Sequence, residues 1–167
     1  ERGKKYLRNK TTRYIQFGNY DEKLLQHFRL LVEKEYGHRT GLEKDRIRIC
    51  KGFIIDDLLR YISFGVLKWK LPTDIKNGTF NIKIKFLRGY FDGDGTVSSQ
   101  IRFFSSNGRS LKDVSNLLHS VGIGNNFKGP YFRKGKKPSF YIYVRRKYWN
   151  KFLELINPIS KIHKKDL

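Results

Sequence analysis

The sequence predicts a mixed α+β fold on three observations. Short segments in which apolar and charged residues alternate predict half-buried strands, as where Ile47 and Ile49 lie between arginines. Longer segments carry apolar residues at helical spacing, as in DEKLLQHFRLLVEKEYG at residues 21–37. The same order of elements also occurs twice, from about Lys4 to Gly65 and from about Thr96 to Asn157. Two antiparallel sheets, each covered by helices on one face, satisfy all three observations.

The first half of the chain follows the order strand, helix, strand, helix. A strand ends at Asn19, and a helix follows between Asp21 and Gly37, which are residue types suited to its two ends. One apolar stripe predicts the buried side of this helix: Leu24, Leu25, Phe28, Leu31 and Val32. After the arginine-rich strand, FIIDDLLRYISFG at residues 53–65 predicts a second helix, and KLPTDIKNG at residues 70–78 predicts a linker.

The second half repeats this order behind one additional helix at about residues 81–91. A strand over QIRFFSSN (100–107) leads to a helix over GRSLKDVSNLLHSVG (108–122). The inward side of that helix is predicted to hold Leu111, Val114, Leu117, Leu118 and Val121. A strand over PSFYIYVRR (138–146) and a last helix over KYWNKFLELINP (147–158) complete the order.

The repeat predicts two domains. Residues 1–75 form a first half that has no helix before its first strand, and include the linker. Residues 76–167 form a second half that begins with that helix and ends in a basic tail.

The charge of the chain is the first indication of function. The 167 residues include 36 Lys and Arg against 15 Asp and Glu, a formal net charge of +21. Such an excess favours a polyanionic partner, most simply nucleic acid, over a merely solvated surface. No apolar run approaches the roughly 18 residues of a membrane span, and no signal peptide opens the chain. The single cysteine, Cys50, excludes an internal disulfide and fits a reducing, cytoplasmic location.

The polar faces of the predicted strands are candidates for contact with double-stranded DNA. A sheet surface of this kind fits the major groove, where Arg and Gln contact base edges. These candidates are Gln16, Arg46, Arg48, Gln100, Arg102, Tyr141, Tyr143 and Arg145. A cationic loop adds candidates for phosphate contact: Arg133, Lys134, Lys136 and Lys137. Plain solvent exposure is the alternative explanation for the alternation alone.

An acidic segment, FLRGYFDGDGTV at residues 86–97, interrupts this basic chain. An EF-hand is excluded, because counting from Asp92 puts Val97 at position six and Phe103 at position twelve. A phosphate-binding loop is excluded by the lack of a lysine. Carboxylates at the end of a helix oppose its dipole, so a purely structural cap is unfavourable. The segment instead suggests a divalent cation held against DNA phosphates.

Residues Leu87–Gly95, LRGYFDGDG, resemble the nine-residue signature of LAGLIDADG homing endonucleases. The match is at Leu87, Gly89, Asp92, Asp94 and Gly95, while Arg88 replaces the usual small residue. The resemblance implies αββαββα half-domains whose saddle-shaped antiparallel sheets bind DNA. The short, lysine-rich chain is most similar to intron-encoded archaeal members.

The resemblance also implies the roles of individual residues. Asp94 is the expected catalytic and metal-binding carboxylate, and the Gly93 carbonyl is a further ligand. The metal is expected to be Mg²⁺, although Mn²⁺ or Ca²⁺ could occupy the same site. Lys161 and His163 are the candidates for an assisting basic residue. Contact between two motif helices is expected to involve Leu87, Gly89, Phe91 and Asp92.

The implied activity is a double-strand cut by a homing endonuclease at a specific target of roughly 20 base pairs. Two strands require two motif helices, and this sequence contains one. We expect a homodimer, with a monomer whose first motif precedes Glu1 as the alternative. An RNA maturase, a DNA-binding regulator that does not cleave, and a basic protein held by charge alone are the alternative functions.

Overall fold

The computed structural model of the protein describes residues 13–159. These residues form two compact units, with the boundary after Leu58. The division of the chain near residue 75 rests on the sequence repeat and stays a prediction.

The first unit is a small sheet with two helices. Its elements are β1 (Ile15–Gly18), α1 (Glu22–Tyr36), β2 (Leu42–Glu43), β3 (Arg46–Ile49) and the start of α2 (Gly52–Tyr61). The strands are antiparallel in the order β1-β3-β2, and Gln16 pairs with Arg48. Val32, Ile49 and Ile54 form the buried core of this unit.

Helix α1 begins and ends as predicted, but one residue of its stripe is misplaced. The Asp21 side chain accepts hydrogen bonds from two backbone N–H groups of the first turn, and Gly37 ends the helix with a φ of 60°. Leu24, Leu25 and Val32 are buried. Leu31 was expected with them and is 50% exposed. Because a helix turns about 100° per residue, Leu31 lies at the edge of the buried arc.

The second unit has the order αββαββα behind one short helix. Its elements are α3 (Thr73–Lys76), α4 (Phe80–Asp94), β4 (Gly95–Val97), β5 (Ile101–Ser105), α5 (Gly108–Ser120), β6 (Asn125–Tyr131), β7 (Ser139–Val144) and α6 (Trp149–Ile156). The four strands form an antiparallel sheet in the order β4-β5-β7-β6. Helix α3 lies in the stretch that was expected to be a linker.

The core of this unit lies between one face of the sheet and helices α4, α5 and α6. All five residues predicted to face inward on α5 are buried. At the centre, Phe91 of α4 makes edge-to-face ring contacts with Phe103 of β5 at 5.1 Å and with Phe152 of α6 at 5.0 Å. This packing fixes the orientation of α4, and therefore of the acidic segment at its end. Within residues 13–159, every helix is too short or too polar to cross a membrane.

Candidate metal and nucleic-acid site

The acidic residues lie in the last turn of α4. The helix starts after Thr79, whose hydroxyl accepts a hydrogen bond from the Ile82 N–H, and continues to Asp94. The sequence predicted that this helix ends near Phe91. In the structure it is longer, and Asp92, Gly93 and Asp94 are helical. Asp94 and Gly93 are exposed. The negative end of the helix dipole points at the same place, which makes the end of α4 a favourable position for a cation.

Gly95 is needed where α4 passes into β4. A Cβ at this position would collide with the Phe91 ring and would lie 2.5 Å from the Phe91 carbonyl oxygen. The Gly95 N–H also donates a hydrogen bond to that carbonyl. The chain can therefore leave the helix directly against a core phenylalanine, and this exit sets the direction in which Asp94 points.

A pair of glycine substitutions tests this close packing. We expect Gly95→Ala to lower the free energy of unfolding by about 1–3 kcal/mol, because Phe91 has to move. Gly93→Ala is the matched control, since nothing lies within 4 Å of its added Cβ, and it should be neutral or stabilising by up to about 1 kcal/mol. Urea unfolding of both variants measures the difference. Equal stability of the two would contradict the packing.

Asp92 is turned away from solvent and binds the segment that follows α6. Its side chain is 1% exposed, and its Oδ1 accepts a hydrogen bond of 3.0 Å from the Ile159 N–H. Arg88 makes a second link, since its Nε donates to the Ile156 carbonyl oxygen at the end of α6 at 2.5 Å. Arg88, which departs from the signature, thus satisfies a helix-terminal carbonyl. Lys161 and His163 lie outside the described residues, two and four positions beyond Ile159.

A mostly apolar cleft of about 620 Å³ lies beside Asp94. Its aromatic lining comprises Phe64, Trp69, Phe86, Tyr90 and Phe104. The Tyr90 hydroxyl donates to the Phe104 carbonyl oxygen at 3.0 Å. Burial, and secondly the negative charge of Asp94, raise the pKa of Tyr90 above its ordinary value, so this hydroxyl stays protonated. The wall next to Asp94 is therefore mostly apolar, although Lys70 also lines the cleft.

The predicted contacts between motif helices need correction at three of four positions. Leu87 and Phe91 are fully buried in the core of their own unit, and Asp92 is buried at its edge. They have no surface left for a second helix. Gly89 is exposed, and nothing lies within 4 Å of a Cβ added there. The apolar residues of the motif are used by the domain itself, while its exposed glycine is on the opposite side of α4.

The four-stranded sheet presents several predicted DNA-contacting residues on its outer face. Arg102 pairs with Tyr143 across β5 and β7. The Arg102 Nε donates to Gln100 Oε1 at 2.9 Å, and its guanidinium lies 5.4 Å from the centre of the Tyr141 ring. Arg145 follows β7 and lies over the Tyr148 ring at 5.2 Å. The remaining four are exposed in the loop between β6 and β7: Arg133, Lys134, Lys136 and Lys137.

The small sheet of the first unit also carries its predicted residues on one face, but acidic neighbours accompany them. Gln16 and Arg48 are paired across β1 and β3. The Arg46 Nε lies 2.7 Å from Asp45 Oδ1, and this hydrogen bond lowers the pKa of the Asp45 carboxyl and raises that of Arg46. Arg48 lies 3.5 Å from Glu43. Exposed ion pairs contribute little stability, so a DNA phosphate can replace the carboxylate as the partner of either arginine.

The sequence interpretation missed three residues on the outer face of the larger sheet: Phe104, Lys128 and Tyr131. Phe104 follows Phe103, so two phenylalanines in a row concealed the alternation. The strand register shows that Phe104 lies on the outer face, because it pairs with Tyr141, whereas Phe103 pairs with the buried Ile142. Lys128 also pairs with Tyr141, from β6.

The donor set at the end of α4 fits a hard divalent cation. Asp94 offers carboxylate oxygens, and the exposed Gly93 offers a carbonyl oxygen. Among residues 13–159, no group of three or more His, Cys, Asp or Glu is placed to hold a metal by itself. A cation here therefore needs oxygen ligands from elsewhere, such as a bound phosphate or water.

Comparison with known proteins identifies a domain in the second unit. A model described as the LAGLIDADG-like domain matches residues 81–157. The fold is similar to that of I-DmoI in complex with DNA and Mn, with a TM-score of 0.63 and 16% identity over 90% of this chain and 82% of that one. I-DmoI with DNA and Ca gives a TM-score of 0.61 and 14% identity over 86% of this chain and 74% of that one.

A curated relative is the DNA-directed RNA polymerase subunit Rpo1C of Methanocaldococcus jannaschii. It is 26% identical over 157 residues, which is 88% of this chain but only 18% of that protein. The match therefore concerns a small part of the relative. The signature at the end of α4, the αββαββα order and the matching family model agree: residues 81–157 of this chain are a LAGLIDADG-like domain.

Proposed function

We propose that the protein is a site-specific DNA endonuclease that hydrolyses phosphodiester bonds in both strands of a target of roughly 20 base pairs. The observation that carries this proposal is the exposed Asp94 at the end of α4, in a chain of net charge +21. The proposal includes a cytoplasmic location and an intron-encoded origin, both of which rest on the sequence interpretation.

Asp94 and the Gly93 carbonyl are the proposed ligands of Mg²⁺, and Mn²⁺ or Ca²⁺ could take its place. When bound, the ion would act as a Lewis acid that activates water and stabilises negative charge on the phosphate. The similar I-DmoI structures were solved with Mn, Mg and Ca, which supports a divalent cation. The protein's part is to hold the Asp94 carboxylate at a fixed position, through the core packing of Phe91 and the tight exit at Gly95.

Lys161 and His163 are the proposed basic residues beside the reacting phosphate. The support is the hydrogen bond between Asp92 and Ile159, because it holds the last described residue at the end of α4. Asp92 acts in this proposal as a positioning residue and not as a metal ligand, since its side chain is buried.

The outer faces of the two sheets are the proposed DNA-binding surfaces. Arg102, Gln100, Arg48 and Gln16 have the side-chain types that contact base edges in the major groove. The loop between β6 and β7 provides cations for phosphate contact. On binding, phosphates would compete with Asp45 and Glu43 for their arginines.

We propose that the exposed side of α4 at Gly89 packs against a second motif helix. That helix comes from a second copy of this chain, or from residues outside the given sequence. A glycine at such a contact lets two helix backbones approach closely. Each helix then places one carboxylate at one DNA strand.

Substitution of Gly89 separates folding from pairing. Gly89→Leu should leave the stability of the chain within about 1 kcal/mol, because there is free space at this position. It should reduce cleavage by about 100-fold or more, since a misplaced reacting group costs that much. Asn116→Leu, at an exposed position on α5, is the control and should cleave normally. Light scattering gives the mass of each variant, and normal cleavage by Gly89→Leu would contradict the pairing.

Selection from a random duplex library tests the proposed function. The chain is incubated with the library in Ca²⁺, bound duplexes are sequenced, and Mg²⁺ is then added. We expect one family of sequences that binds at least about 10³-fold more tightly than random DNA and is cut. Equal affinity for all duplexes, with a steep salt dependence, would indicate a basic protein held by charge alone. Specific binding without cutting would indicate a regulator.

A further inference from the structure

The outer face of the four-stranded sheet carries aromatic side chains where a solvated face would be polar. Strand alternation buries Phe103 and Ile142 and leaves Phe104, Tyr141 and Tyr143 on the opposite side. The Tyr131 ring, from β6, stacks on the Tyr141 ring. We call Phe104, Tyr131, Tyr141 and Tyr143 the aromatic row. Phe104 and Tyr131 are 37% and 44% exposed, so part of this surface is available to a partner.

The faces of the central ring are already covered by the protein. Tyr141 lies on β7, between β5 and β6. From one side the Tyr131 ring stacks on it, 5.4 Å away and inclined by 14°. From β5, the Arg102 guanidinium lies 5.4 Å from its centre, and the Phe104 ring 5.9 Å. The Tyr141 ring therefore offers no open face to a partner, while Phe104 and Tyr131 beside it remain partly exposed.

This arrangement argues against base stacking. A sheet that binds single strands needs aromatic faces on which the bases can lie. With the central ring covered, the exposed parts of Phe104 and Tyr131 instead offer an apolar surface for side-on contact. The Tyr131 hydroxyl donates to the Tyr141 hydroxyl at 3.4 Å, so the two rings are also held together at their tips.

The surroundings of the aromatic row are cationic. Arg102 and Lys128 flank it on the same face. The exposed loop between β6 and β7 adds four positive charges close to Tyr131: Arg133, Lys134, Lys136 and Lys137. An apolar surface bordered by cations complements a DNA major groove, where phosphates line the walls and the apolar group on the floor is the thymine methyl.

We propose that the aromatic row recognises thymine methyl groups, so that the part of the target facing this sheet is rich in T·A pairs. The inference deepens the proposed function and rests on it. Phe104 and Tyr131 contact the methyl groups with the exposed parts of their rings. Tyr141 keeps both rings in place, and Arg102 remains beside them to contact an adjacent base edge.

Replacement of thymine by deoxyuridine tests the inference directly, because it removes the methyl group and keeps base pairing. The duplex selected in Ca²⁺ is prepared with deoxyuridine in one half at a time, and affinity is measured by titration. We expect a loss of about 10-fold or more when the half that faces this sheet is changed, since each lost methyl contact costs about fourfold. The other half should show a smaller loss.

Two variants assign the effect to the aromatic row. Phe104→Ser combined with Tyr131→Ser should bind the thymine and deoxyuridine duplexes about equally. Phe80→Ser is the control, because it removes a ring that is 53% exposed on α4 and not on the sheet, and it should discriminate like the wild type. Thermal unfolding checks that each variant is folded.

The outcomes separate this inference from the proposed function. If the wild type binds the thymine duplex and each deoxyuridine duplex with equal affinity, the inference is overturned and the endonuclease proposal still stands. Unchanged discrimination by the double serine variant would also overturn it. Failure to select any duplex, or stronger binding of single-stranded RNA, would overturn both.

Discussion

Asp94→Asn is expected to reduce DNA cleavage by about 10³-fold or more, because it replaces the proposed metal-binding carboxylate with a neutral amide. Affinity for the selected duplex in EDTA should stay within about threefold, since the side chain lies at the end of α4 and not on either sheet. Cleavage rates in Mg²⁺ under single-turnover conditions measure the first effect, and titration of labelled duplex measures the second.

Asp113→Asn is the matched control for this change. Asp113 is a partly exposed carboxylate of the same unit, and its Oδ1 lies 3.0 Å from Lys76 Nζ. It is far from the motif in sequence, and its loss should leave cleavage within about twofold, since surface pairs contribute little. Normal cleavage by Asp94→Asn, or an equal loss in both variants, would remove Asp94 from the proposed mechanism.

Phe91→Ala is expected to lower the free energy of unfolding by about 3–5 kcal/mol, because it leaves a cavity between β5 and α6. The ring is fully buried and touches Phe103 and Phe152. Both tryptophans of the chain, Trp69 and Trp149, lie in the same unit. Their fluorescence during urea unfolding therefore reports the stability of this unit.

Phe80→Ala is the control on the same helix. Phe80 is 53% exposed, and its truncation should cost about 0.5 kcal/mol or less. If Phe91 were instead a contact between motif helices, its replacement would change oligomeric mass more than stability. Similar stability of the Phe80 and Phe91 variants would contradict the core position of Phe91.

The sequence predicted much of the fold because its strong patterns agree with the packing. The apolar stripe of α5 and the strict alternation in β7 are each compatible with only one buried face of the element. Predictions failed where a pattern was compatible with more than one arrangement. The spacing of apolar residues places Leu31 in the buried stripe of α1. In the structure it lies at the edge of the buried side of the helix and is half exposed.

The candidate site was predictable only in part, for a similar reason. The signature singled out Asp94 and Gly93, and both are exposed; their role as metal ligands stays a prediction. It could not tell which apolar motif residues the domain itself buries, so Leu87 and Phe91 were misplaced. The contact between Asp92 and Ile159 joins residues 67 positions apart. Such a contact depends on the tertiary fold and has no local sequence signal.

The most direct test of the central claim, that the end of α4 directs metal-dependent cleavage, is the mapping of cuts on one selected duplex labelled at both 5′ ends. We expect one fixed cut in each strand in Mg²⁺, no cut in EDTA, and full recovery when excess Mg²⁺ is restored. A duplex that is bound specifically but remains intact in Mg²⁺ would contradict the account, as would cuts that form at the same rate in EDTA.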